Sequence, residues 1–189
     1  MKPIVAICSL CLLLAAWPAS GAGCDNWNTK EFFETATPKA VTNCLQAGAD
    51  PKAQDEAVGG TPLHWAARFN ENPAVITALL NAGADPKAQD EFFGALPLHQ
   101  AAGHNNNPSV ITALLNAGAK PNARDKSGAT PLHWAAGFNQ HPAVITTLLD
   151  AGADTAAQDE QGHVPSDYAE KNEALQGSDV YWRLKAGRF

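Results

Sequence analysis

The chain has 189 residues, with 13 Lys+Arg against 19 Asp+Glu, a net charge of −6, and 45% apolar residues. That length fits one domain, and the apolar share suffices for a buried core, which argues against wholesale disorder. Charged residues make up 17%, and an acidic, lightly charged chain lacks the clustered cations that grip a phosphate backbone, so nucleic acid is not an expected partner.

Met1-Lys2-Pro3 is a short positive start, Ile4 to Trp17 is nearly all apolar, and Pro18 to Ala22 supplies small residues. This order of basic tip, apolar middle and small-residue exit reads as a secretory signal peptide over residues 1–22. As a membrane anchor the run falls short of the ~20 residues a spanning helix needs, and Pro18 ends it. Removing residues 1–22 takes away Lys2, Cys8 and Cys11, which leaves 12 Lys+Arg against 19 Asp+Glu, a net charge of −7, and two cysteines, Cys24 and Cys44. Gly21-Ala22-Gly23-Cys24 shares the small residues of a lipoprotein cleavage site, but Gly21 stands where such signals usually carry Leu. A lipid anchor at Cys24 is therefore the lesser alternative. No later stretch is apolar enough to span a membrane, and the expected product is periplasmic or secreted.

Residues 23–189 read as one domain with an internal period. Thr61-Pro62-Leu63-His64-Trp65-Ala66-Ala67 returns as Leu96 to Ala102, as Thr130 to Ala136, and in degraded form as Val164 to Ala169. The four prolines lie 35, 34 and 34 residues apart, and Gly48, Gly83, Gly118 and Gly152 keep step, each ten residues after a proline. Approximate units are 27–59, 60–94, 95–128, 129–162 and 163–189. Within a unit, Pro62 opens a first short helix at the position where its missing N–H costs nothing, and Leu63, Ala66 and Ala67 line one face. Asn70 to Asn72 breaks that helix, Asn72 caps the next, and Pro73 opens it. Val75, Ile76, Leu79 and Leu80 form a buried stripe, and Gly83 stops the helix by turning left-handed. One such helix pair is too short to stand alone, whereas a stack of them shares a continuous core. At the front, Asn28 with Glu31 reads as a capping box, with Trp27 and Phe32 as its hydrophobic staple. At the back, Ser178 caps a last helix over 179–185, and Val180, Tyr181, Trp182 and Leu184 close the stack.

The T-P-L-H-x-A-A stretch, the V-[VI]-x-x-L-L stretch and the following G-A-D resemble the ankyrin repeat. The resemblance covers Trp27 to about Phe189 and implies an all-α solenoid of about five stacked helix-turn-helix units, both caps included. The departures lie in loops. The helix-to-helix turns run one residue longer than the usual pattern, and the hairpins Glu56 to Gly60 and Glu91 to Ala95 each carry a further extra residue. Leu96 replaces the motif's Thr, so one local hydrogen bond is expected to be missing there. By the resemblance, His64, His99 and His133 are structural, each tying its turn to the adjacent unit. One repeat apart, about 10 Å, they are too distant to share a metal at ~2.0 Å per ligand.

Two antiparallel helices joined by a short turn bring the start of the first beside the end of the second. Cys24 and Cys44 should therefore meet, and in an oxidising compartment they pair as a disulfide; the alternative is that Cys44 is a buried apolar filler at the position of Leu79. The resemblance further implies a protein-binding scaffold that uses hairpin tips and the exposed part of each first helix. Those positions are Glu56-Ala57-Val58, Glu91-Phe92-Phe93, Lys126-Ser127 and Glu160-Gln161 at the tips, and Arg68-Phe69, Gly103-His104 and Gly137-Phe138 on the helices. Partner-binding residues are accordingly Arg68, Phe69, Phe92, Phe93, His104, Lys126 and Phe138, an aromatic strip rimmed by polar groups. Phe69 and Phe138 have the alternative of folding inward to fill the longer turns, while Trp65 and Trp134 are expected to pack between repeats. The chain carries no motif for a nucleophile, a catalytic metal or a phosphate. A monomeric, non-enzymatic scaffold without cofactor is expected, with an inhibitor of an exported enzyme as the second reading. An enzyme or metal-handling protein using His104, His141 and His163 is the remote one.

Overall fold

A computed structural model describes residues 23–187; the signal-like stretch 1–22 lies outside the described residues. Ten α-helices appear among those residues, in two rows. The first helices of the units are α1 (Lys30–Thr35), α3 (Pro62–Phe69), α5 (Pro97–His104), α7 (Pro131–Phe138) and α9 (Pro165–Ala169). The second helices are α2 (Pro38–Gln46), α4 (Pro73–Asn81), α6 (Pro108–Asn116), α8 (Pro142–Asp150) and α10 (Asp179–Ala186), the last following a 3-10 turn at Glu173–Leu175. Each helix packs on its counterpart in the next unit: α3 on α5, α5 on α7, α7 on α9, and α2, α4, α6 and α8 in the parallel row. α10 closes the stack against α8 and α9.

Proline begins every helix from α2 to α9, where its fixed φ suits the first helical position. Asn72 accepts from Ala74 N–H at 3.0 Å and Asn107 from Ser109 N–H at 2.9 Å, so α4 and α6 start on side-chain caps, whereas His141 before α8 makes none. Gly83, at φ 93°, ends α4: its N–H reaches Leu80 C=O at 3.0 Å, and the N–H of Ala84 reaches Leu79 C=O at 3.0 Å. Small alanines on the first helices (Ala66, Ala67, Ala101, Ala102, Ala135 and Ala136) are fully buried, as are Val75, Ile76 and Leu79 and their copies on the second helices. Small residues in one row let the helices approach closely, and the branched residues of the other fill the space between the rows.

The ends depart from expectation at two points. Thr29, not Asn28, caps α1 and accepts from Phe32 N–H at 3.3 Å. Asn28 instead sits at φ 66°, buried, with its amide donating to Ala53 C=O at 3.0 Å and Gly60 C=O at 3.1 Å. It is drawn out of the cap because those carbonyls belong to the next hairpin. Trp27 and Phe32 still pack edge to face at 5.3 Å, so the staple contact forms one residue out of the expected register. At the other end Ser178 caps α10, and Val180 and Leu184 are buried. Trp182, by contrast, is 60% exposed, because it follows Tyr181 around the helix onto the face turned away from α8 and α9.

Cys24 and Cys44 form a disulfide across the first unit, with Cα atoms 5.6 Å apart. The bond closes a loop with a sequence separation of 20. In the chain-entropy account that restraint on the unfolded chain contributes about 3 kcal/mol. Replacing both cysteines by Ser is expected to lower the urea-unfolding free energy by about that amount. Hydrogen exchange should show the loss concentrated in α1 and α2, with α5 to α8 still protected, since a solenoid transmits stability mainly between neighbours.

Candidate functional site: hairpin tips and the first-helix face

The hairpins are built on a recurring aspartate. Asp55 accepts from Ala57 N–H and Val58 N–H, Asp125 from Ser127 N–H and Ala129 N–H, and Asp159 from Gln161 N–H and His163 N–H. Each carboxylate thus folds its own turn. Backbone bonds then join tip to tip: Glu91 N–H to Val58 C=O at 3.0 Å, Lys126 N–H to Phe93 C=O at 2.9 Å, and Glu160 N–H to Ser127 C=O at 2.9 Å. The tips consequently form a fixed edge.

Two hydrogen-bond ladders hold the units in register. In the first, His64 Nδ1 accepts from Thr61 N–H at 3.0 Å and its Nε2 meets Ala95 C=O at 3.0 Å; His133 does the same with Thr130 N–H and His163 C=O. Because Nδ1 accepts, the proton sits on Nε2 and donates to the next hairpin. His99 keeps its bonds to Leu96 N–H at 3.2 Å and Ala129 C=O at 3.1 Å. It has no counterpart to the 2.9 Å bond that the Thr61 and Thr130 hydroxyls make to their histidines. Burial pushes the pKa of all three histidines down, against smaller upward pulls from the carbonyls and nearby aspartates.

The second ladder was not foreseen in the sequence, where Asn70 reads as a helix breaker. Asn70, Asn105 and Asn139 are buried, and each donates to two carbonyls of the preceding unit: Phe33 and Ala36, Ala67 and Asn70, Ala102 and Asn105. Asn172 continues the row onto Ala136 and Asn139. The extra turn residue makes room for this side chain. Recurrence of Asn at 70, 105, 139 and 172 was the available signal.

On the exposed side, Phe92 is 67% exposed, Phe93 49% and Phe138 60%. Their rings connect through residues of the first helices. Phe92 meets Phe93 at 4.7 Å, Phe93 meets the Trp134 edge at 6.3 Å, Trp134 meets His104 at 6.1 Å, and His104 stacks on Phe138 at 5.9 Å. Trp134 is half-buried and anchored by its Nε1–H to Asp125 Oδ2 at 2.9 Å, so it is a rigid member of the strip as well as a packing residue. His104 is held down to about 4, by burial first and by the Arg68 charge second, so it is neutral near pH 7 and adds no cation to the strip. Phe69 is half-buried in a separate stack on Trp65 at 5.9 Å, with Lys30 and Arg68 over its ring at 5.3 and 5.2 Å. Lys126 is exposed and donates from Nζ to Glu91 C=O. His141 and His163 are exposed in different turns, and among the described residues no group of three His, Cys, Asp or Glu side chains is placed to hold a metal.

A family model described as ankyrin repeats in three copies matches residues 34–125 and again 63–159. The chain belongs to the ankyrin repeat family. A search of the curated proteins finds no match for it. Ankyrin stacks typically serve as non-enzymatic binding scaffolds for protein partners, and the aromatic strip lies where such a stack presents its hairpins and first helices. No helix among the described residues is long and apolar enough to cross a membrane.

Proposed function

We propose that this ankyrin protein is an exported scaffold that binds a partner protein through the tips Glu91-Phe92-Phe93 and Lys126-Ser127 and the first-helix face carrying His104, Trp134 and Phe138. The observation that carries the reading is the connected strip of exposed aromatic rings from Phe92 to Phe138. Large aromatic side chains on a rigid edge offer apolar area at low entropic cost, which is the composition of interface hot spots. Arg68 and Phe69 extend the face toward the first unit. The net charge of −7 without residues 1–22 favours a partner with a basic patch. The Cys24–Cys44 disulfide and the signal-like residues 1–22 together support a periplasmic or secreted setting.

A crosslinking pull-down from the exported fraction, run with wild type and with a Phe92→Ser/Phe93→Ser variant, tests the strip. Wild type is expected to capture a discrete partner that the variant loses. The melting curve should barely move, since substitutions at exposed sites usually change stability by less than about 0.5 kcal/mol each. Loss of the fold in the variant, or capture unchanged, would place binding elsewhere.

A further inference from the structure

The two longer hairpins have a chemical consequence. In the third hairpin Asp125 precedes Trp134 by nine residues, and the indole N–H reaches its carboxylate. In the first hairpin Asp55 precedes Trp65 by ten, and the extra residue brings Gly60 N–H onto Asp55 Oδ2 at 2.7 Å instead. Among the described residues, Trp65 Nε1 is thereby left buried with no acceptor. One hairpin on, Asp90 is 2% exposed and accepts a single side-chain hydrogen bond among the described residues, Phe93 N–H to Oδ1 at 2.7 Å. The aspartates at 55, 125 and 159 use both oxygens; Asp90 does not use Oδ2. Trp65 and Asp90 line the same pocket, of about 80 Å³, with Val58, Arg68, Phe93 and Gln100. Among the described residues, one buried donor and one carboxylate oxygen thus stand without a protein partner around one small hollow beside the aromatic strip, which His64, Arg68 and Gln100 also line.

We propose that this pocket receives the phenol of a tyrosine on the partner protein, its hydroxyl donating to Asp90 Oδ2 and accepting from Trp65 Nε1. The proposal rests on the protein-binding reading above. A hydroxyl carries both functions in one atom, which matches what the pocket leaves unsatisfied. A partner's Lys or Arg would supply donors alone, leave the indole N–H unpaired and meet the Arg68 guanidinium, which is committed to Gln100 Oε1 at 3.2 Å. A carboxylate would face Asp90, and an aliphatic group would satisfy neither atom. The chain itself shows the preferred pairing: in the last hairpin Tyr168, at the position equivalent to Trp65, donates its hydroxyl to Asp159 Oδ2. That bond, after burial, helps raise Tyr168 to about 12. The small volume takes the hydroxyl end of the ring and leaves the rest at the mouth, against Phe93.

The test uses p-cresol, the tyrosine side chain as a free molecule, titrated into the ¹⁵N-labelled protein while the Trp65 indole resonance, assigned with Trp65→Phe, is followed. A saturable shift is expected with p-cresol, with toluene and 4-methylanisole at least tenfold weaker, because the first has no hydroxyl and the second cannot donate. Asp90→Asn keeps the Oδ1 acceptor for the turn and should weaken p-cresol at least fivefold with the melting temperature unchanged. Equal affinity for toluene, or no shift of the Trp65 resonance at the solubility limit of p-cresol, overturns the proposal. The comparison of ligands stands in wild type even if Asp90→Asn does not fold. Loss of the pull-down partner on changing Phe92 and Phe93 bears on the strip alone, so the two readings fail separately.

Discussion

Replacing Asn105 with Ala is expected to lower the stability of the stack by about 4 kcal/mol, measured by urea denaturation at neutral pH. Asn105 is 2% exposed, and its amide donates to Ala67 C=O at 2.9 Å and Asn70 C=O at 3.0 Å while its Oδ1 accepts from Asn107 N–H at 2.9 Å. Truncation strands all three backbone groups, and a buried polar group without a partner costs roughly 1–3 kcal/mol. The loss falls on the contact between two neighbouring units, which is the term that makes a solenoid cooperative. Asn105→Asp separates the donor role from packing. The shape is retained, but at neutral pH a carboxylate oxygen faces two carbonyl oxygens, so this variant should be at least as unstable as Asn105→Ala. Acidification should narrow its deficit relative to wild type, because a protonated carboxyl regains one donor. A deficit that stays constant with pH would assign the residue a packing role alone.

Much of the fold was legible because the signals are local and repeated. Proline at the first helical position and a glycine after the second helix mark boundaries that need no knowledge of the neighbours, and α3 to α8 all begin at their prolines, with an asparagine before the proline in α4 and α6. The misreadings concern side chains whose partners lie in another unit. Asn28 looked like a cap because it precedes a helix, yet its amide serves carbonyls of the next hairpin. Asn70 reads locally as a helix breaker, yet its amide donates to carbonyls of the unit before. Trp65 and Trp134 occupy the same motif position and were read alike. Their difference, an unpaired indole in one and an aspartate-bound indole in the other, follows from a one-residue difference in hairpin length that the Asp-to-Trp spacing records. The exposed pair Phe92-Phe93 was legible as a tip, but its continuity with Trp134 depends on how adjacent hairpins register, which the backbone ladder between tips decides.

The histidine ladder carries the second large effect and makes it pH-dependent. His99→Ala is expected to lower stability by about 3 kcal/mol at pH 7.5, because a fully buried ring is removed, Leu96 N–H loses its partner, and Ala129 C=O keeps only its bond from Asp125 N–H. The wild type should also weaken in acid. His64, His99 and His133 each have a folded pKa pushed below the ordinary histidine value of about 6.5, chiefly by burial, and His104 is pushed down to about 4. Below pH 6.5 the unfolded chain therefore takes up protons that the folded chain refuses, and mass action favours unfolding. The contribution of these groups is fully present above pH 6.5 and is lost progressively as pH falls from there toward the depressed folded values. A stability curve flat between pH 8 and 7 and falling below 6.5 is expected. Each proton taken up contributes a slope of about 1.36 kcal/mol per pH unit. His99→Gln supplies a non-titrating side chain with a donor and an acceptor, so its curve between pH 6.5 and 5 should be shallower than wild type by one His-sized step. An identical slope would mean that His99 takes its proton in the folded state as readily as in the unfolded chain, and the ladder would then have to tolerate a buried imidazolium whose Nδ1–H points at the Leu96 N–H.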